Sequence, residues 1–100
     1  MTALRIERAG AAAARVSGDL GFADAAAAWS RAGEFLVGAA GELAVDVAGV
    51  SNVDSATLAV LLAWAAHARR AGVVLRFRQA PAGLAALAHL CGTESLLGMA

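Results

Sequence analysis

Glu42 to Arg78 constrains the fold more than any other stretch of this chain. Leu43, Val45 and Val47 alternate with Ala44 and Asp46, a period-two pattern that predicts a strand over Glu42–Val50 with one apolar face. Ser51-Asn52-Val53-Asp54 follows as a polar loop, and Asp54 is placed to cap a helix running from about Ser55 to Arg70. Ala71-Gly72 stops that helix, with the glycine free to take a left-handed conformation. Val73–Arg78 then reads as a second strand. Strand, helix and strand in 37 residues form a crossover unit, so the two strands are expected to be parallel.

The helix of this unit is apolar around most of its circumference, through Ala56, Leu58, Ala59, Leu61, Leu62, Ala63 and Ala65. At least two of its faces are therefore expected to be covered. The flanking segments are weaker in signal. Leu4 and Ile6 alternate with Arg5 and Glu7, Ala9-Gly10 suits a turn, and Ala14–Ser17 suits a returning strand that Ser17-Gly18-Asp19 breaks. Phe22, Ala25, Ala26, Trp29 and Ala32 or Gly33 recur at helical spacing, with Asp24 in the first turn, so a helix is expected to end near Gly33. Glu34–Gly41 carries no assignable pattern. Gln79-Ala80-Pro81 opens a last helix with Pro81 near its first residue, and Leu84, Leu87, Leu90 and Cys91 as its buried stripe. A further turn is expected around Leu96 and Leu97.

The mean hydropathy of +0.67 suggests a membrane protein until alanine is counted. Alanine supplies 29 of the 100 residues, and the longest stretch without a charged side chain, Gln79–Thr93, contains Pro81, Gly83 and His89. A spanning helix needs about 20 apolar residues, so none is expected. The first residues lack a basic segment followed by an apolar one, which argues against a secretory signal. Eight arginines balance eight acidic residues, lysine is absent, and the arginines are scattered. Nothing in that distribution supplies the basic stripe that nucleic acid requires.

Chemistry-bearing residues are few. Ser55 lacks the flanking glycines of a nucleophile elbow, since the local sequence is Val53-Asp54-Ser55-Ala56-Thr57. Without lysine there is no phosphate-binding loop of the Walker type, which argues against a nucleotide ligand. His67 and His89 have no second ligand one helical turn away and read as packed or rim residues; Cys91 reads as a small buried hydrophobe. No metal or other cofactor is expected, and no catalysis. Trp29 and Trp64 read as core, though an exposed tryptophan in a chain this poor in large side chains would be a binding anchor. Asp54-Ser55 stands out, because a hydroxyl in the first turn of a long helix faces unpaired N–H groups. On the residues alone, capping is the favoured reading of the pair, since such residues cap most helices.

Asp46-Val47-Ala48-Gly49-Val50-Ser51-Asn52-Val53-Asp54-Ser55-Ala56-Thr57-Leu58 resembles the signature of STAS domains, the family of anti-sigma-factor antagonists. There, a strand leads through a loop to an acidic residue and two serines at a helix start. The resemblance covers nearly the whole chain, and Ala59–Trp64 and Arg76–Leu84 look most like the stand-alone STAS subunits of Mla phospholipid-transport ABC transporters. It implies an α/β fold in a single STAS-like domain over residues 1–100, with a mixed sheet of four to five strands and helices mainly on one face. It further implies a non-catalytic cytoplasmic adaptor, peripheral to the inner membrane, that binds the transporter's ATPase subunit. Ser55 matches the family's Ser/Thr position for partner binding, and for phosphorylation by an anti-sigma kinase in the sigma-regulating branch. Asp46, Ser51, Asn52, Asp54 and Thr57 match the supporting loop and helix start. Ala56 and Thr57 depart from the family's second serine and glycine, which weighs against kinase recognition.

Overall fold

A computed structural model describes residues 4–10, 12–21, 25–35, 41–51 and 53–99. Four strands, β1 (Arg5–Arg8), β2 (Ala13–Asp19), β3 (Gly41–Ser51) and β4 (Val73–Arg78), lie side by side in chain order in one sheet. β1 and β2 are antiparallel, whereas β2 with β3 and β3 with β4 are parallel, so the sheet is mixed. Among the described residues the helices are α1 (Ala25–Trp29), α2 (Ser55–Arg70) and α3 (Ala82–Leu90), with a 3-10 turn over Ala32–Phe35 after α1.

The helices share one side of the sheet because the strands alternate. Ala14, Val16, Leu43, Val45, Val47, Leu75 and Phe77 point into the core, where Leu58, Val60, Leu61, Trp64 and Ala68 of α2 meet them. The other side carries Arg15, Glu42, Asp46, Arg76 and Arg78, none of them buried. Arg76 pairs there with Glu42 at 2.7 Å. This is the α/β architecture with helices on one face that the sequence implies, with four strands among the described residues.

The crossover unit forms with the expected bounds. Asp54 caps α2, Gly72 adopts φ +84° just beyond it, and β4 runs parallel to β3. Elsewhere the structure departs from the expectations. Ser17-Gly18-Asp19 does not break β2, because these three residues pair with Gly49, Val50 and Ser51, and that pairing outweighs their poor strand propensity. The register between β2 and β3 slips after Arg15, leaving Val47 and Ala48 opposite Val16 alone. This bulge brings Gly49 against Ser17, where a Cβ would stand 2.7 Å from the Ser17 Cβ.

The first helix is shorter than its periodicity predicts. Ser30 Oγ and Arg31 N donate to Ala27 O and Ala28 O at 2.9 and 3.0 Å, and the chain passes into the 3-10 turn. Phe22, Asp24 and most of the Glu34–Gly41 connection lie outside the described residues. Pro81 is the N-cap of α3 rather than its first residue. Leu84 and Ala88 set the buried face of α3, which turns Leu90 (82% exposed) and Cys91 outward, so neither joins the core. His67 and His89 are exposed, the latter 3.1 Å from Glu94. The final turn forms as expected, with Leu97 buried, and Phe77 N donates to Leu97 O at 3.0 Å, covering the outer edge of β4.

Candidate functional site: the start of α2 and its outer face

Parallel pairing brings the C-terminal ends of β2 and β3 together, and α2 starts beside them. Asp19 and Ser51 are register partners, and Ser51 Oγ donates to the buried Asp19 carboxylate. One residue further, Leu20 O accepts from Thr57 Oγ1 at 3.2 Å. Thr57 is fully buried and closes a reciprocal cap. Its N–H donates to Asp54 Oδ1 at 3.0 Å, and the Asp54 N–H donates to Thr57 Oγ1 at 3.1 Å. The departure from the family glycine thus has a structural reason: this threonine ties α2 to the end of β2.

Ser55 is the first residue of α2 and is exposed. The cap is complete without it, so its hydroxyl is available to a partner. The structure therefore joins Ser51, Asp54, Ser55 and Thr57 at one end of the sheet. Asn52 lies outside the described residues. Asp46 is not part of this cluster, because it sits on the opposite face of the sheet. Its Oδ1 accepts from Ala48 N at 2.8 Å, satisfying a donor that the bulge leaves out of the ladder.

Among the described residues no histidine stands near Ser55. His67 lies twelve residues along α2, about 18 Å at the helical rise, and His89 sits at the end of α3. Among the described residues no group of three His, Cys, Asp or Glu side chains could hold a metal. What this site offers is a surface. α2 buries Thr57, Leu58, Val60, Leu61, Trp64 and Ala68 and is flanked by α1 and α3, which covers at least two of its faces as its composition predicts, while its outer side stays open. Ala59 and Ala66 are exposed there, and Leu62 and Ala63 are half-buried.

Trp29 borders that open side. Trp64 fills the core as expected, but Trp29 is 57% exposed. It lines a groove of about 630 Å³ together with Ala59, Leu62, Ala63, Ala66, His67 and Arg70 of α2. On the other side of Leu62, Leu96 is also 57% exposed, above Ala65, Ala66 and Arg69. Periodicity places Trp29 inside, and the sequence marks Leu96 only as part of a final turn. Exposed apolar residues gathered on one face in this way mark a contact surface.

No helix among the described residues is long and apolar enough to cross a membrane. No curated protein matches the chain. A family model described as "Mlab, STAS domain" matches residues 4–98. Because that match takes in every strand and helix described above, the chain belongs to the STAS domain family and is MlaB-like.

Proposed function

We propose that this STAS domain is a non-catalytic adaptor subunit of an Mla-type phospholipid-transport ABC transporter, held at the cytoplasmic side of the inner membrane by binding the ATPase subunit. The observation that carries this reading is the continuous open surface running from Ser55 along the outer side of α2 to Arg70, with Trp29 standing beside it. Tryptophan in a partly enclosed apolar groove is a preferred anchor of protein interfaces. Small alanines along α2 let a partner element approach closely. The adaptor acts by shape and contact, through the Asp54-Ser55 helix start and the adjacent helices, and does not itself touch lipid.

Co-purification with the transporter's ATPase subunit tests the reading. The wild-type chain should elute with the ATPase, and Ser55→Arg or Trp29→Glu should weaken the pair at least about tenfold while the adaptor stays folded. Unchanged affinity in both variants removes this surface from the interface.

A second reading is an anti-sigma factor antagonist switched by phosphorylation of Ser55. It is favoured by the exposure of Ser55 at a helix N-terminus, where donors of the first turn stabilise a phosphate. Intact-mass measurement after incubation with a cognate serine kinase decides it, and an unchanged mass removes it.

A further inference from the structure

The outer side of α2 has an internal symmetry. Its seam residues fall at 55, 59, 62, 63, 66 and 70, and they pair about the midpoint between Leu62 and Ala63: Ser55 with Arg70, Ala59 with Ala66, Leu62 with Ala63. Laid antiparallel on a copy of itself about that midpoint, the helix sets Leu62 beside Leu62 and Ala63 beside Ala63 of the other copy, and brings Ala59 against Ala66 at two places along the seam. The alanines let the two backbones approach closely, and the Ala59–Ala66 and Ser55–Arg70 contacts each occur twice, as in an isologous interface.

Charge follows the same symmetry. The first turn of α2 has no basic residue and is preceded by the exposed Asp54, whereas the last turn carries His67, Arg69 and Arg70 and no acid. Neither Arg69 nor Arg70 forms an ion pair among the described residues. Antiparallel pairing places the cationic end of each helix over the Asp54-Ser55 end of the other, and Trp29 and Leu96 flank the seam on opposite sides.

We propose that the outer face of α2 is a self-association surface, on which a second copy of this chain packs its own α2 antiparallel, with Leu62 against Leu62 of the copy, Ala59 against Ala66, and Arg70 over the Asp54-Ser55 end. The inference rests on reading this face as an interface, as the adaptor proposal does. The two associations use the same seam and exclude one another.

Sedimentation equilibrium of the purified chain alone tests the pairing, without any ATPase present, so its outcome is independent of the adaptor reading. The chain should show a concentration-dependent monomer–dimer equilibrium. Ser55→Arg and Arg70→Glu should each weaken it about tenfold, through like charges brought together, and the double variant should recover most of the loss. In a Cys91→Ser background, oxidised Ala59→Cys/Ala66→Cys should cross-link between copies while Ala59→Cys alone should not. A monomer at all concentrations overturns the proposal. So does a double charge variant no better than the single ones, or cross-linking by Ala59→Cys alone. Retained secondary structure and melting temperature in each variant separate loss of pairing from loss of fold.

Discussion

The buried indole of Trp64 donates to the carbonyl oxygen of Ala28 at 2.9 Å, and the residue that follows Ala28 is the exposed Trp29. One tryptophan therefore fixes the position of the other: the core side chain anchors α1 on α2, and that anchor holds Trp29 beside the groove. Trp64→Phe keeps most of the apolar volume but leaves a buried carbonyl without this donor. It should lower stability by about 1–3 kcal/mol, read from the urea midpoint. Under the adaptor reading, it should also weaken ATPase binding by more than the stability loss alone accounts for, because α1 is no longer held in register.

Trp29 itself should behave in the opposite way. At 57% exposure it contributes little to the core, so Trp29→Ala should change stability by no more than about 0.5 kcal/mol. Under the adaptor reading, partner affinity should fall at least about tenfold. A large drop in the urea midpoint would mean that Trp29 is structural.

Thr57 links the cap of α2 to the end of β2 through two acceptor and donor roles of one hydroxyl. Thr57→Val preserves shape and burial but removes both bonds, and should cost about 1–2 kcal/mol by chemical denaturation. Thr57→Ser should recover most of that loss. Destabilisation by Thr57→Ser with none by Thr57→Val would assign the role of Thr57 to its methyl group.

These relationships show where the sequence was readable. α2 and β4 were legible to the residue because their ends carry strong local chemistry: Asp54 as cap, Gly72 as stop, and alternating large residues between. The place of Ser55 at the helix start was legible for the same reason. The outward turn of Trp29 and Leu90 was not, because both belong to alanine-rich helices. Alanine fits a core or a surface equally well, so a few large residues set the face, and tertiary contact decided between them. The side of the sheet that Asp46 occupies followed from alternation. Its bond to Ala48 did not, since the bulge exists only once β2 and β3 have paired.

That bulge makes a prediction at Gly49. A Cβ there would stand 2.7 Å from the Ser17 Cβ, and both atoms belong to strands locked in one ladder, so neither can yield cheaply. Gly49→Ala should therefore destabilise the fold by about 1–3 kcal/mol. Ser17→Gly in the same chain should recover part of the loss by removing the opposing atom. Thermal unfolding of the three variants checks the coupling, and independent, additive effects would place the strain elsewhere.

Arg31 and Glu34 give the fold a modest pH dependence of known sign. Arg31 Nε lies 2.6 Å from Glu34 Oε2, and Arg31 Nη1 donates to Leu4 O at 2.9 Å, so the pair fastens the 3-10 turn to the residue before β1. The hydrogen bond from Arg31, aided by the attraction of its charge, holds the Glu34 carboxyl below its ordinary range against a smaller opposing effect of burial. The same bond raises Arg31 further above any accessible pH, so Arg31 stays charged throughout. A carboxylate with a lowered folded pKa binds fewer protons in the native state than in the unfolded one. Its contribution is complete above the unfolded pKa and is lost as pH falls through the folded value. Both side chains are about a third or more exposed, so solvent screening limits the contribution to about 0.2–1 kcal/mol. Glu34→Gln should be less stable than the wild type by that amount at neutral pH, and the gap should close on acidification below the carboxylate range. High salt should narrow it at neutral pH as well. Urea titrations of both proteins at neutral and acidic pH measure the difference, and a gap that widens in acid would contradict the sign derived from the pair.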